Sequence, residues 1–195
     1  MNKKLTLIII LIISFITFSF GKTENYEADK FHSSISFTIN HMVVSKVTGH
    51  FNDFSVFISV DPSDITKSVV TASIKTASID TGNDKRDTHL RSADFFDVGK
   101  FPDITFKSSK IEKKGNDYVM KGSFTMHGIT KEIEIPFKIN GHIKDYEGKI
   151  RAGIEAQTSL DRKDYGLVWN KTLDQGGLVV GNEVKVEILL EMVSK

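Results

Sequence analysis

Most of the chain alternates apolar and polar residues with a period of two, the pattern of a β-strand that buries one face. The stretch SISFTINH, residues 34–41, places four residues on one face: Ile35, Phe37, Ile39 and His41. Similar alternation recurs at residues 47–60, 69–77, 104–111, 118–126, 131–139, 150–156 and 184–192. Parallel strands buried on both faces would appear as continuous apolar blocks. The pattern therefore predicts eight antiparallel strands.

The connections between these strands are mostly short turns, at residues 113–117, 127–131 and 145–149 among others. Short turns join neighbouring antiparallel strands and predict an up-and-down order. Eight one-sided strands whose edges need covering close most simply into a barrel. A sandwich of two sheets is the alternative.

Two connections are much longer, at residues 78–102 and 160–181. Connections of this length inside a compact domain are usually functional or disordered. The first predicts a short helix, because Asn83 or Asp84 suits an N-cap and Leu90 offers an apolar side. Pro102 ends this connection before the next strand.

The first residues of the chain have the layout of a signal peptide. Lys3 and Lys4 precede an apolar run from Leu5 to Phe20, and the small residue Gly21 follows. This pattern predicts a signal peptide at residues 1–21, cleaved near Gly21, and a periplasmic or secreted protein with no stable membrane span after cleavage. An uncleaved anchor is the alternative, although the run is shorter than the roughly 20 residues of a comfortable span.

The composition excludes several classes of function. The chain has no cysteine, which rules out disulfides, thiolate metal sites and cysteine nucleophiles. Its formal net charge is +1, so we expect no binding to nucleic acid. The six histidines follow no common zinc spacing, so we expect no metal site.

The inferred inner face of the barrel is apolar and carries no Lys, Arg, Asp or Glu within a strand. A barrel of eight strands is just wide enough to be filled by side chains or to hold one small ligand. An uncharged lumen suits a hydrocarbon better than a polar metabolite. Any barrel core needs apolar inner faces, however, so a filled core stays open on this pattern alone.

Charge is concentrated at residues 81–97, TGNDKRDTHLRSADFFD. Asp87 and Arg91 are four residues apart, which on a helix predicts an ion pair that ties the loop down. An enzyme using Arg86, Asp87 and His89 is an alternative, but no motif supplies a nucleophile or a metal. The residues predicted to hold the loops, and not to catalyse, are Arg86, Asp87, His89, Arg91, Asp94, Asp161 and Arg162.

Several motifs together resemble those of a known family. They are HS at 32–33, GHF at 49–51, RDTHL at 86–90, DFF at 94–96, FP at 101–102 and DR at 161–162. In this order, and over nearly the whole of residues 22–195, the chain resembles the YceI family of exported, lipocalin-like proteins. The resemblance implies an eight-stranded barrel whose lumen holds a polyisoprenoid, an isoprenoid quinone or a fatty-acid amide. It implies no established enzymatic activity.

We therefore expect an all-β fold, an eight-stranded antiparallel lipocalin-like barrel with a short helix in the 78–102 connection, forming one domain at residues 22–195. Its partner would be a long-chain isoprenoid or acyl lipid, carried, stored or scavenged without a catalytic cofactor. The residues expected to contact this lipid are Phe37, Ile39, His41, Phe54, Ile74, Phe95, Phe96, Phe106, Phe124, Met126, Phe137, Leu167 and Trp169. Strand edges at the barrel seam favour a homodimer. A filled barrel that acts as an interaction or stress protein of the envelope is the main alternative function.

Overall fold

The structure is a computed structural model that describes residues 23–172 and 177–195. The predicted signal peptide lies outside these residues. The strands of the described part are β1 (Glu24–Ala28), β2 (Ser34–His41), β3 (Ser45–Phe51), β4 (Phe54–Val60), β5 (Val69–Lys75), β6 (Ile79–Asp80), β7 (Asp103–Lys114), β8 (Asp117–Met126), β9 (Ile129–Lys144), β10 (Ile150–Asp161) and β11 (Val180–Ser194). The helices are α1 (Asp84–Arg91) and three short 3-10 helices, Ile65–Lys67, Thr76–Ser78 and Arg162–Tyr165.

Eight of the strands form a closed ring in the order β1, β4, β5, β7, β8, β9, β10 and β11, and every neighbouring pair is antiparallel. The ring closes between its first and last members, where Tyr26 lies opposite Ser194 and Ala28 opposite Met192. This closure confirms the predicted eight-stranded antiparallel barrel and contradicts the two-sheet sandwich. The strand edges at the barrel seam, which favoured a homodimer, pair with each other between β1 and β11. This pairing removes the reason for expecting a homodimer, and the homodimer stays a prediction.

The remaining strands are continuations of ring strands. β1 and β2 both pair with β11, β2 continues into a hairpin with β3, and β3 pairs with β6. The described residues thus form eight long strands in simple sequence order, three of which are interrupted at residues 29–33, 52–53 and 76–78. The alternating pattern predicts a first strand that starts at residue 34, so β1 is not predicted. This strand has only two buried residues, Tyr26 and Ala28, which is too few for an alternating pattern to stand out.

The two ends of the barrel differ. We call one end the mouth, where the β2–β3 turn and both long connections lie, and the other end the base. The interior at the base is packed by side chains that include Ile58, Ile111, Phe137 and Met192. Full burial of each such side chain stabilises the fold by roughly 1.5–3 kcal/mol. The base is therefore the solid part of the core.

The helix α1 lies at the mouth and begins as the sequence predicts. The side chain of Asn83 caps it by accepting a hydrogen bond from the backbone N–H of Arg86 at 3.0 Å. Of the two predicted N-caps, Asn83 is the one the structure uses. No helix within residues 23–172 and 177–195 has the length and apolar character needed to cross a bilayer.

Candidate ligand cavity

A cavity of about 570 Å³ opens at the mouth and extends down the barrel as far as Val70, Met120 and Leu190. Its exposed lining residues, Asn40, Asn83 and Lys85, all lie at the mouth, which shows where the cavity meets solvent. A cavity of ~150 Å³ in another protein holds one benzene molecule. By that comparison this cavity holds on the order of twenty carbon atoms. The barrel is therefore not filled by its own side chains.

The walls of the cavity come from the inner positions of the strands. On β11, alternate residues from Val184 to Leu190 line it, and β2 contributes Ile35, Phe37 and Ile39. Phe37 and Val186 are only partly buried although they point inward, because they face open space. Within the described strands no Lys, Arg, Asp or Glu lines the cavity. The wall offers a ligand almost nothing but hydrocarbon.

Eleven of the thirteen residues predicted to contact a ligand line this cavity. They are Phe37, Ile39, His41, Ile74, Phe95, Phe96, Phe106, Phe124, Met126, Leu167 and Trp169. The structure brings together residues from the strands, from the first long connection, which contains α1, and from the second long connection. Their contact with a ligand stays a prediction.

Phe54 and Phe137 do not line the cavity, and here the structure corrects the prediction. Phe54 follows the strand break at residues 52–53 and is buried in the core. Phe137 lies nearer the base and stacks on Tyr118, with ring centroids 5.4 Å apart. Alternation assigns a residue to the inner face of the barrel. It does not predict the position of the residue between the mouth and the base, or which inner side chains cover one another.

Some lining residues are not among those predicted from the sequence. Thr158 and Leu160 continue the inner face of β10 beyond the predicted limit at residue 156, and following the alternation further would have found them. Val179 and Val180 enter the lining where the second long connection joins β11. Lys85 lines the mouth from α1, and the sequence gives no signal for its position.

The predicted ion pair between Asp87 and Arg91 is wrong. Asp87, which is 4% exposed, accepts hydrogen bonds from the backbone N–H of Thr81 at 3.1 Å and from the Thr81 hydroxyl. Arg91 donates to the carbonyl oxygen of Ala77 at 2.7 Å and to that of Ile79. Both side chains find backbone groups of the neighbouring β6 segment within reach, so each ties the helix to the barrel separately.

Arg86 takes part in the same anchoring. Its Nε donates to the Thr81 hydroxyl at 2.7 Å, and its second terminal nitrogen donates to the Thr81 carbonyl at 2.9 Å. His89 Nε2 instead lies 2.8 Å from Asp94 Oδ2. Arg86 and Asp87 are thus both engaged with Thr81, whereas His89 is engaged with Asp94. Arg86 and His89 also line the cavity, which the loop-holding prediction did not include.

Aromatic side chains join the two long connections across the mouth. The Trp169 ring lies 4.9 Å from His89 and 5.2 Å from Phe95, measured between centroids. His89 and Phe95 themselves meet edge to face at 5.0 Å. Such aromatic pairs are worth about 0.5–1.5 kcal/mol each beyond the area they bury. They fix the second connection against the first.

Arg162 organises the second connection from inside the protein. It is 3% exposed and donates to the carbonyl oxygens of Gly181 at 2.7 Å, Trp169 at 2.9 Å and Leu167. Burial lowers the pKa of the Arg162 guanidinium, against a smaller opposite effect of the Asp161 carboxylate. Asp161 also caps the 3-10 helix by accepting from the Lys163 N–H at 2.8 Å. Both side chains thus contact groups of the second connection, and their loop-holding role stays a prediction.

The charged groups in the cavity lining all carry the same sign. They are Lys85, Arg86 and Arg162, and they lie on helical segments at the mouth. No carboxylate of the described residues lines the cavity. A ligand inside would therefore meet hydrocarbon towards the base and cationic groups at the mouth.

Comparison with known proteins decides the family. The sequence profile of the YceI-like domain matches residues 26–192. This chain belongs to the YceI family. A UPF0312 protein of Vibrio cholerae serotype O1 is 40% identical over 137 residues, which cover 70% of this chain and 72% of the relative.

Solved structures agree with this assignment. The YceI protein of Campylobacter jejuni superposes with a TM-score of 0.69 at 32% identity, covering 80% of this chain and 90% of that one. A polyisoprenoid-binding domain from Saccharophagus degradans, implicated in plant cell wall breakdown, has a TM-score of 0.63 at 16% identity. It covers 87% of this chain and 98% of its own, and at this identity it shows the shared barrel fold.

Proposed function

We propose that this YceI-family protein holds one long-chain amphiphile in its barrel, a polyisoprenoid, an isoprenoid quinone or a fatty-acid amide. The observation that carries the proposal is the cavity of about 570 Å³ whose strand-built wall has no charged side chain. The polyisoprenoid-binding domain that shares the fold supports the ligand class.

The chain length of the ligand follows from the size of the cavity. Each buried methylene is worth about 0.8 kcal/mol, so ten contribute about 8 kcal/mol and twenty about 16 kcal/mol. Association costs about 4–15 kcal/mol in lost freedom of motion. Ten buried methylenes therefore only roughly offset this cost, whereas about twenty exceed it. We expect ligands that use the whole length of the cavity to bind best.

The orientation of the ligand follows from the distribution of charge. The hydrocarbon would extend towards the base, and the polar end would lie at the mouth near Lys85, Arg86 and Arg162. There it could remain partly hydrated, which avoids the cost of burying a polar group without a partner.

The biological role that fits is a carrier, store or scavenger of lipid without catalysis. Arg86, Asp87 and His89 are engaged in holding the helix and its loop, which favours binding over chemistry. The N-terminal pattern of residues 1–21 supports export to the periplasm or the medium.

Light scattering of the purified chain tests whether it forms a homodimer.

Native mass spectrometry of protein purified without detergent tests the proposal. We expect a bound lipid, or uptake of added polyprenyl or fatty-acyl ligands by stripped protein. Ala72 lines the cavity midway along β5, so Ala72→Trp should divide the cavity and abolish binding of long chains. Ser73→Trp, the next residue and on the outer face, is the matched control. A clean apo mass with no uptake of either ligand class would refute lipid binding.

A further inference from the structure

The turn between β2 and β3 exposes apolar side chains at the mouth. Its residues are Met42, Val43 and Val44, of which Val43 is 78% and Val44 is 88% exposed. A single exposed apolar residue needs no explanation, but three in succession at one turn form a patch. Three adjacent apolar residues are unusual in an exposed turn.

The backbone of this turn is also unfavourable for the residues it contains. Met42 has φ 52° and Val43 has φ 64°, in the left-handed region that favours glycine, asparagine and aspartate. Tight hairpin turns with two successive positive φ angles are normally built from Asn-Gly. A β-branched valine is a clear outlier there. Folding alone therefore does not account for these residues, and strain of this kind points to a function at the tip.

The second long connection extends the apolar surface. Met42 N–H donates to the carbonyl of Val179 at 2.8 Å, and Gly177 lies beside Val43. Val168 and Leu178 are exposed on this connection. We call Met42, Val43, Val44, Val168 and Leu178 the rim patch.

The rim patch adjoins both the cavity and positive charge. Val179, the partner of Met42, lines the cavity, as does Trp169 beside Val168. Lys46 and Lys171 are exposed on the same two segments. An apolar tip flanked by lysines is the composition of surfaces that insert into the interface of a bilayer, and tryptophan is enriched at that depth.

We propose that the rim patch docks onto the surface of a lipid bilayer and turns the mouth of the barrel towards the membrane. A long-chain lipid then passes from the bilayer along apolar side chains into the cavity without crossing water. Anionic lipids strengthen the docking through the two lysines. This surface goes beyond the binding of a lipid in the barrel, and docking can be measured on protein stripped of lipid.

Flotation of the stripped protein with vesicles tests the proposal. The vesicles are phosphatidylcholine alone, or phosphatidylcholine and phosphatidylglycerol in equal parts. The double variant Met42→Asn, Val43→Gly places favourable residues at the strained positions. We expect its ratio of bound to free protein to fall about tenfold, from the lost apolar contacts, while its thermal midpoint stays equal or rises.

The matched control is Ile143→Ser, which removes an exposed apolar residue at the base. It should float like the wild type. Native mass spectrometry of the double variant with added lipid separates loss of docking from loss of lipid binding, because its cavity lining is unchanged. Unaltered flotation of the double variant, an equal loss in the control, or no flotation of the wild type with either vesicle would overturn docking by the rim patch.

Discussion

Replacing Asp87 by alanine is the sharpest test of whether the charged segment at residues 81–97 is structural. Asp87 is buried and accepts from the N–H and hydroxyl of Thr81, the residue that Arg86 of the same helix also binds. Hydrogen bonds to a charged group contribute about 1.5–3 kcal/mol, and the partly buried N–H of Thr81, left without this partner, adds to the loss. We expect Asp87→Ala to lower the free energy of unfolding by about 2–4 kcal/mol.

For a chain of this size, each kcal/mol shifts the thermal midpoint by about 2–4 °C. Asp87→Ala should therefore lower the midpoint by roughly 4–16 °C in circular dichroism or calorimetry. The measurement needs protein stripped of ligand, since a ligand that binds the folded state raises the midpoint by mass action. Asp84→Ala is the matched control, because Asp84 lies in the first turn of the same helix and is exposed. Its loss of a favourable charge near the helix N-terminus is worth only about 0.3–1 kcal/mol.

Two results would contradict this reasoning. If both variants shift the midpoint equally, the buried contact of Asp87 with Thr81 is not what stabilises the loop. If Asp87→Ala or His89→Ala keeps its stability and its lipid occupancy yet loses an enzymatic activity of the wild type, the segment is catalytic and the binding proposal is incomplete.

Two further substitutions test the packing and the charge of the barrel. Gly122→Ala should destabilise the protein severely, because the added Cβ would collide with the backbone of Lys107 and Ser108 at the bulge in β7. Gly153→Ala is the control and should be tolerated, because its Cβ would meet only the Asn140 side chain, at 3.5 Å. Equal unfolding midpoints of the two variants in urea would contradict this. Hydrogen bonds from the Phe31 N–H and from His32, with Arg151, lower the pKa of Asp29 to about 2 from its usual 3.8. The stabilisation by the Asp29 carboxylate is present above pH ~4 and is lost as the pH falls towards 2. Asp29→Asn should therefore reduce the acid-induced fall in the free energy of unfolding by about 2 kcal/mol. Parallel curves of unfolding free energy against pH for the variant and the wild type would refute this.

The eight strands could be predicted from sequence because a barrel with a dry interior and a wet exterior imposes alternation on every long strand. β1 escaped because two inward residues make no pattern, although its pairing with β11 closes the ring. Whether the barrel is filled could not be predicted, since alternation is the same for a packed and a hollow interior. Phe54 and Phe137 show this directly, because they share the inner face with lining residues and lie outside the lining.

The polar contacts at the mouth were less predictable than the strands. The spacing of Asp87 and Arg91 suggested a pair, but backbone groups of the folded barrel compete for both side chains. Likewise, the buried guanidinium of Arg162 depends on carbonyls from residues up to 19 positions away along the chain, which no local pattern reveals. Contacts of this kind exist only once the barrel has brought distant segments together.

Arg91 has a consequence for how the barrel meets other molecules. β6 pairs with β3 on one side and is the last strand of the sheet on the other. An unpaired strand edge is a template on which a second chain can add its own strand and begin to aggregate. The guanidinium of Arg91 occupies the carbonyls of Ala77 and Ile79 along this segment, as a neighbouring strand otherwise would. Arg91 thus covers, with a side chain, part of a strand edge that no strand of the described residues pairs with.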